Sequence, residues 1–255
     1  MLSFFANDWR TNRELLRPKK AFLETTGPAR ELNCLLLHGW HSLYFPLIQL
    51  ENKLRCMPGG ERIRFWRGTY DSHWKTFEQS ADECVTLLER HRVKPANTVL
   101  IGFSMGGLVA RSMVSRGFDA RAVICLATPH LGAAPWMPVG DVGSVSIAPW
   151  SKKLARLNSN KRDIAHRDRY CFAGFDFDDI TGYQDHDRIV RLRSSLGEGL
   201  PGVAVRHAIH LRYRGVAPGC DPHLRGMDPR YLAPVLEQFQ RWTGLTAAVE
   251  HDTLE

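Results

Sequence analysis

No apolar run in the 255 residues approaches the roughly 18 that a membrane-spanning helix needs. A hydrophobic signal segment is not visible either. The opening Met1-Leu-Ser-Phe-Phe-Ala-Asn-Asp-Trp-Arg10 reaches polar and charged residues too early to form one, so the expectation is a cytoplasmic protein. The six cysteines, Cys34, Cys56, Cys84, Cys125, Cys171 and Cys220, form no Cys-x-x-Cys pair. That spacing argues against a zinc site or a dithiol redox motif and favours free thiols. No internal repeat and no low-complexity tract interrupt the chain. An acidic excess is also missing: the net charge is +7, thickening at Lys152–Arg169 and again at Arg188–Arg214. Such a surface attracts anionic lipid or nucleic acid, or is simply solvated arginine. No helix-turn-helix, aromatic RNA platform or zinc finger accompanies it, so no nucleic-acid partner is expected.

What is present suits a soluble α/β domain. Hydrophobic residues make up 44% and charged residues 24%, enough for one full core. Short aliphatic runs end in breaks: Leu32–His38 before Gly39, Ile63–Trp66 before Arg67-Gly68, Val99–Ile101, Ala122–Leu126, Tyr170–Ala173 before Gly174, and Gly202–Arg206 leading on to Tyr213. They lack clean alternation, as strands buried on both faces do. Helical spacing falls between them, over about Leu47–Leu54, Phe77–His91, Gly106–Ser115 and Pro229–Trp242, the last with Asp228 as N-cap. This alternation predicts a mostly parallel sheet with helices on both faces. Residues 131–168 break it with Gly, Pro and Trp and then a basic amphipathic piece. A stretch of this length between strands reads as a lid or cap insertion in a single domain over 1–255.

The chemistry concentrates at Gly102-Phe-Ser104-Met-Gly106-Gly107, between Thr98–Ile101 and Leu108–Arg111. Strand, sharp turn and helix in that order describe a nucleophile elbow. Its serine is held strained at the apex, and two glycines yield space to neighbouring backbone. The next backbone N–H opens a helix, where developing negative charge is favoured. A serine hydroxyl still needs a histidine to take its proton and an acid to orient that histidine.

Leu35-Leu-Leu-His38-Gly39-Trp40, the elbow through Arg111, and Thr128-Pro-His-Leu-Gly132 together resemble the α/β-hydrolase superfamily, in its lipase/esterase branch, over about residues 32–242. Phe103 departs from the histidine most often found there. The resemblance implies an α/β-hydrolase fold with Ser104 as nucleophile and the backbone N–H groups of Trp40 and Met105 as the oxyanion hole. It leaves His38 a structural role in the loop. It places the acid after the Tyr170–Ala173 strand, where Tyr183-Gln-Asp-His-Asp187-Arg-Ile-Val190 offers Asp187, with Asp185 as rival and Asp176, Asp178 and Asp179 nearby. The base belongs in the loop before the last helix, which points to His223. His207 and His210 fall within the preceding strand, and His210 is the rival if that strand ends early.

The activity so implied is carboxylic-ester hydrolysis through an acyl-enzyme, without metal or organic cofactor. Acyl transfer or thioester hydrolysis by the same residues is the alternative, and an inactive binding module a third. Trp40, Phe103, Trp136 and Trp150, with Leu43, Tyr44 and Phe45, suggest an apolar acyl pocket, or equally belong to the core. The expected partner is a small-molecule ester with an apolar chain, with transient contact to a lipid surface.

Overall fold

A computed structural model describes residues 21–26, 30–40, 45–133, 141–179, 182–202, 204–213, 223 and 231–245. Strands β1 (Phe22–Thr26), β2 (Leu32–Leu37), β3 (Ile63–Thr69), β4 (Thr98–Phe103), β5 (Ala122–Leu126), β6 (Tyr170–Asp179), β7 (Gly182–Gln184) and β8 (His207–Tyr213) form one sheet. Helices α1 (Phe45–Arg55), α2 (Phe77–Arg90), α3 (Met105–Ser115), α4 (Val142–Ser146), α5 (Lys152–Asn158), α6 (Lys161–Ala165), α7 (Leu192–Ser195) and α8 (Ala233–Thr243) connect or follow them. The sheet runs β1-β3-β2-β4-β5-β6, with β7 and β8 both on β6. All pairings are parallel except β1–β3 and the β6–β7 hairpin.

The uninterrupted apolar runs have a simple cause, since side chains of one strand alternate between two cores. Cys34 and Leu36, Val99 and Ile101, Ile124 and Leu126, and Cys171 and Ala173 face α1 and α8, meeting Leu47, Leu50, Leu54, Val235 and Phe239. Leu35 and Leu37, Leu100, Val123 and Phe172 face α2 and α3, meeting Phe77, Ala81, Leu88, Leu108 and Met113. Helix α2 starts at Thr76 in a capping box: its hydroxyl accepts from Gln79 N–H, and Gln79 Oε1 accepts from Thr76 N–H at 3.0 Å.

The expected strands and helices form, with shifted ends. Strand β6 runs on to Asp179, and β8 begins at His207 rather than Gly202. Asp228 and Pro229, expected to open the last helix, lie outside the described residues, as do Leu43, Tyr44, Trp136 and Cys220; α8 is described from Ala233. Among the described residues no helix is long and apolar enough to cross a membrane. Cys34, Cys56, Cys84, Cys125 and Cys171 are free thiols.

Helices α5 and α6, within the 131–168 stretch, are anchored on α3. Arg111 donates from Nε and Nη2 to the two carboxylate oxygens of Asp163 at 3.0 and 2.7 Å, and from Nη2 to Asn158 Oδ1 at 3.0 Å. Tyr170 Oη donates to the same carboxylate at 3.0 Å. Arg111 and Asp163 are both fully buried. Many of the basic residues are likewise absorbed by local pairing. Lys153 and Arg156 reach Glu78, and Arg169 reaches Asp119.

Strand order fixes where a site can form. The chain steps from β2 outward to β3, then back across β2 to β4. The carboxyl ends of β2 and β4 therefore frame the crevice at which parallel sheets bind ligands.

Candidate active site

Ser104 stands at that crevice. It follows β4 directly and holds φ 53° and ψ −124°, a conformation that costs an ordinary residue roughly 1–3 kcal/mol. Its N–H donates to Leu126 O at 2.8 Å, and its carbonyl accepts from Gly107 N–H at 3.1 Å. The flanking glycines are demanded by close approach. A Cβ on Gly102 would lie 2.3 Å from the Gly106 carbonyl, and one on Gly106 would lie 2.2 Å from Leu37 O. Met105 opens α3, which puts its N–H at the positive end of that helix.

Strand β2 brings His38-Gly39-Trp40 alongside. Leu37 pairs with Gly102, so Gly39 is level with Ser104, and a Cβ on Gly39 would stand 3.0 Å from Ser104 Cβ. His38 is buried and serves the loop. Its Nδ1 lies 2.7 Å from Gly39 O, its Nε2 accepts from Tyr70 N–H at 3.3 Å, and its ring stacks on Tyr70 at 4.1 Å. The Tyr70 hydroxyl donates to the His38 carbonyl. Burial pushes the His38 imidazole down to about 4, against smaller opposing effects of these backbone contacts, so it is neutral at pH 7.

Asp187 and His223 meet. His223 Nδ1 lies 2.7 Å from Asp187 Oδ2, with both side chains almost fully buried. The carboxylate is aimed by its own turn: Oδ1 accepts from Ile189 N–H at 3.0 Å and Val190 N–H at 2.7 Å, beside Arg188 at φ 75°. With Nδ1–H directed at the acid, Nε2 is left as the basic nitrogen. The His223 ring lies 4.8 Å from the Phe103 ring, next in sequence to Ser104.

The rivals are engaged elsewhere. His210 Nε2 lies 2.6 Å from Asp176 Oδ2, and Arg212 shares that carboxylate at 3.2 Å. His207 is edge-on to Trp242, with ring centroids 5.4 Å apart. Asp185 is exposed and Asp178 half-buried, while Asp179 ends β6. Burial raises the Cys84 and Cys171 thiols to about 12 and pushes Cys34 and Cys125 well up, so none of these four offers a thiolate. The expected aromatic lining divides: Phe103 is core, Trp40 is half-buried, and Trp150 is 70% exposed. Trp150 therefore lines no enclosed pocket.

Two features escaped the sequence reading. Tyr70 clamps His38 from 32 residues away. Asp141 receives the Trp40 indole from 101 residues away. The one local signal for Asp141 was Asp-Val-Gly-Ser, an N-cap pattern, and Asp141 does cap α4 by accepting from Ser144 N–H.

Comparison with known proteins agrees with this architecture. The PGAP1-like alpha/beta domain family matches residues 61–145, which carry β3, β4, the elbow and β5. A GPI inositol-deacylase of Candida albicans is 31% identical over 167 residues, covering 58% of this chain and 42% of that protein. The chain thus spans less than half the length of this relative. Among solved structures, the mature lipase BlEst2 of Bacillus licheniformis superposes with TM-score 0.55 at 13% identity, covering 86% of this chain and 97% of its own. The N-acyl homoserine lactonase AidH gives 0.53 at 13% identity, covering 89% and 94%. The lin2722 product of Listeria innocua gives 0.51 at 15% identity, covering 79% and 93%. The chain has the α/β-hydrolase fold.

Proposed function

We propose that the protein is a serine hydrolase of carboxylic esters. The observation that carries the reading is a strained serine at the β2/β4 crevice and a buried Asp–His pair whose imidazole lies 4.8 Å from the ring of Phe103, the residue before that serine. Ser104 Oγ attacks the acyl carbonyl while His223 Nε2 takes its proton. Asp187 holds the imidazole in the Nδ1–H tautomer and steadies the imidazolium that forms. The N–H groups of Trp40 and Met105 receive the oxyanion. His223 returns the proton to the leaving alcohol, then activates water to release the acid. Every proton moved belongs to Ser104, His223 or water.

The sequence relationship to a GPI inositol-deacylase, with lipase BlEst2 and lactonase AidH among the structural neighbours, favours an ester over a thioester or an amine acceptor. The surface supports an apolar acyl chain and transient contact with a lipid surface. Trp74, Val142, Val145 and Trp150 are exposed, and the turn carrying Trp74 meets α4 through Gly143 N–H donating to His73 O at 2.9 Å. We read the chain as a single domain whose cover is the part of 131–168 around α4, with α5 and α6 held to the body by Arg111.

The test is hydrolysis of p-nitrophenyl esters from acetate to laurate by wild type and Asp187→Asn. Wild type is expected to favour medium or long chains. Asp187→Asn should lose about 10⁴ in kcat, as when a triad acid no longer fixes the tautomer. Highest kcat/KM on acetate would overturn the substrate preference, and full activity of Asp187→Asn would overturn the acid.

A further inference from the structure

A carboxylate with no assigned role grips the residue after Gly39. Asp141 Oδ2 accepts the Trp40 Nε1–H at 3.0 Å, with Oδ1 at 3.2 Å from the same proton donor. The other partners of Asp141 come from two further segments. His73 Nδ1 lies 3.0 Å from Oδ2, and Ser144 N–H donates to Oδ1 at 2.7 Å. One half-buried carboxyl therefore ties the end of the β2 loop, the turn after β3 and the start of α4.

We propose that Asp141 is a positioning residue for the oxyanion hole: by holding the Trp40 indole it sets the direction of the Trp40 backbone N–H. This rests on the reading of Ser104 and Trp40 given above.

Strand β2 ends at Leu37, so the sheet ladder does not fix residue 40, and Gly39 has no side chain with which to anchor the turn. The Trp40 side chain gives that turn a handle. Its seat is tight. A Cβ on Gly143 would lie 1.8 Å from Ser72 O and 3.3 Å from Trp40 Cδ1, so α4 is pressed against both loops. The Trp40 and His73 rings sit 5.7 Å apart. A hydrogen bond to an oxyanion weakens steeply as its angle falls away from linear, so a small rotation of residue 40 matters more to the transition state than to bound ester. Burial alone would raise the Asp141 carboxyl, but the His73 and Ser144 donors outweigh it and hold it below the usual carboxylate range. It is an anion at neutral pH, and a charged acceptor holds an indole N–H more firmly than a neutral one.

The rival role, a helix cap alone, separates by substitution. Asp141→Ser keeps an N-cap acceptor but is too short to hold the indole. Trp40→Phe keeps the ring and the backbone N–H but loses Nε1–H. With folding checked by circular dichroism, Asp141→Ser and Trp40→Phe should each lower kcat about tenfold to hundredfold, the scale of a displaced oxyanion donor, with KM moved by no more than about threefold. The double variant should be no slower than the slower single. Wild-type kcat in Asp141→Ser or additive losses in the double variant would each overturn the proposal. Ser104→Ala is run in the same series. If it is dead while Asp141→Ser is fully active, the positioning role alone fails; if it keeps its rate, the nucleophile reading fails and this inference falls with it.

Discussion

Single residues carry the conformational cost of the site. Ser104 is held at positive φ because its neighbours over-determine it: Gly102 and Gly106 lie against one another, and Gly106 lies against the end of β2. Gly106→Ala has backbone on both sides and nothing flexible to displace. It should destabilise by more than the roughly 1–3 kcal/mol of ordinary overpacking, read by urea denaturation. Beneath the loop, His38 is neutral when folded. An imidazole lowered from 6.5 to about 4 binds protons more readily in the unfolded chain, so stability is full above pH 6.5 and falls as the pH drops from there to about 4. The shift corresponds to about 3 kcal/mol. Buried His130, lowered by burial and by Arg111 and Arg167, adds in the same direction. Denaturation midpoints measured between pH 7.5 and 4 should therefore fall, and less steeply in His38→Asn. Ser104 was legible in the sequence because an elbow is a local requirement of five consecutive residues. Tyr70 and Asp141 were not, because each acts on a residue 32 or 101 positions distant, and no period or motif links such pairs.

Among the elements, α3 does double duty. Its N-terminus underlies Ser104, while its middle holds α5 and α6 through Arg111 and Asp163. Removing Arg111 leaves the buried Asp163 carboxylate with Arg167 alone, at 3.6 Å, and opens a cavity, so Arg111→Ala should cost about 3–5 kcal/mol. In a chain of this length that is a fall in Tm of roughly 6–20 °C by calorimetry. Core strands were readable as aliphatic runs since both faces are buried. Among the described residues, the two strands not expected were edge pieces with little apolar signal. Strand β1, Phe22-Leu-Glu-Thr-Thr26, pairs antiparallel on β3, and β7 is three residues folded back on β6. Residues 131–168 read as one insertion from their composition. Physically they divide, since buried Arg111 contacts reach α5 and α6 but α4 leans on Trp40 and His73.

For the molecule as a whole, strand order brings the candidate site residues to one end of the sheet. Crossing from β3 back past β2 to β4 sets Gly39 level with Ser104. The turn after β7 gives Asp187, and His223, beyond β8 in sequence, meets it. That end also presents exposed Val142 and Val145 on α4, close to half-buried Trp40. Val145→Asp should slow hydrolysis of long-chain esters presented on vesicles while leaving soluble butyrate unchanged; equal rates on both would remove the lipid surface from the proposal. The fold class could be read from alternating strands and helices. The choice of Asp187 and His223 came from the family resemblance and not from spacing, because Asp176–His210 offers a second acid–histidine contact that sequence spacing does not distinguish from the first. The most direct measurement is labelling with a fluorophosphonate probe, located by mass spectrometry, in wild type, Ser104→Ala and His223→Ala. Label on Ser104 in wild type, none in Ser104→Ala and a strongly slowed reaction in folded His223→Ala is the expected result. Label at another residue, or undiminished labelling without His223, would contradict the assignment of this serine and its base.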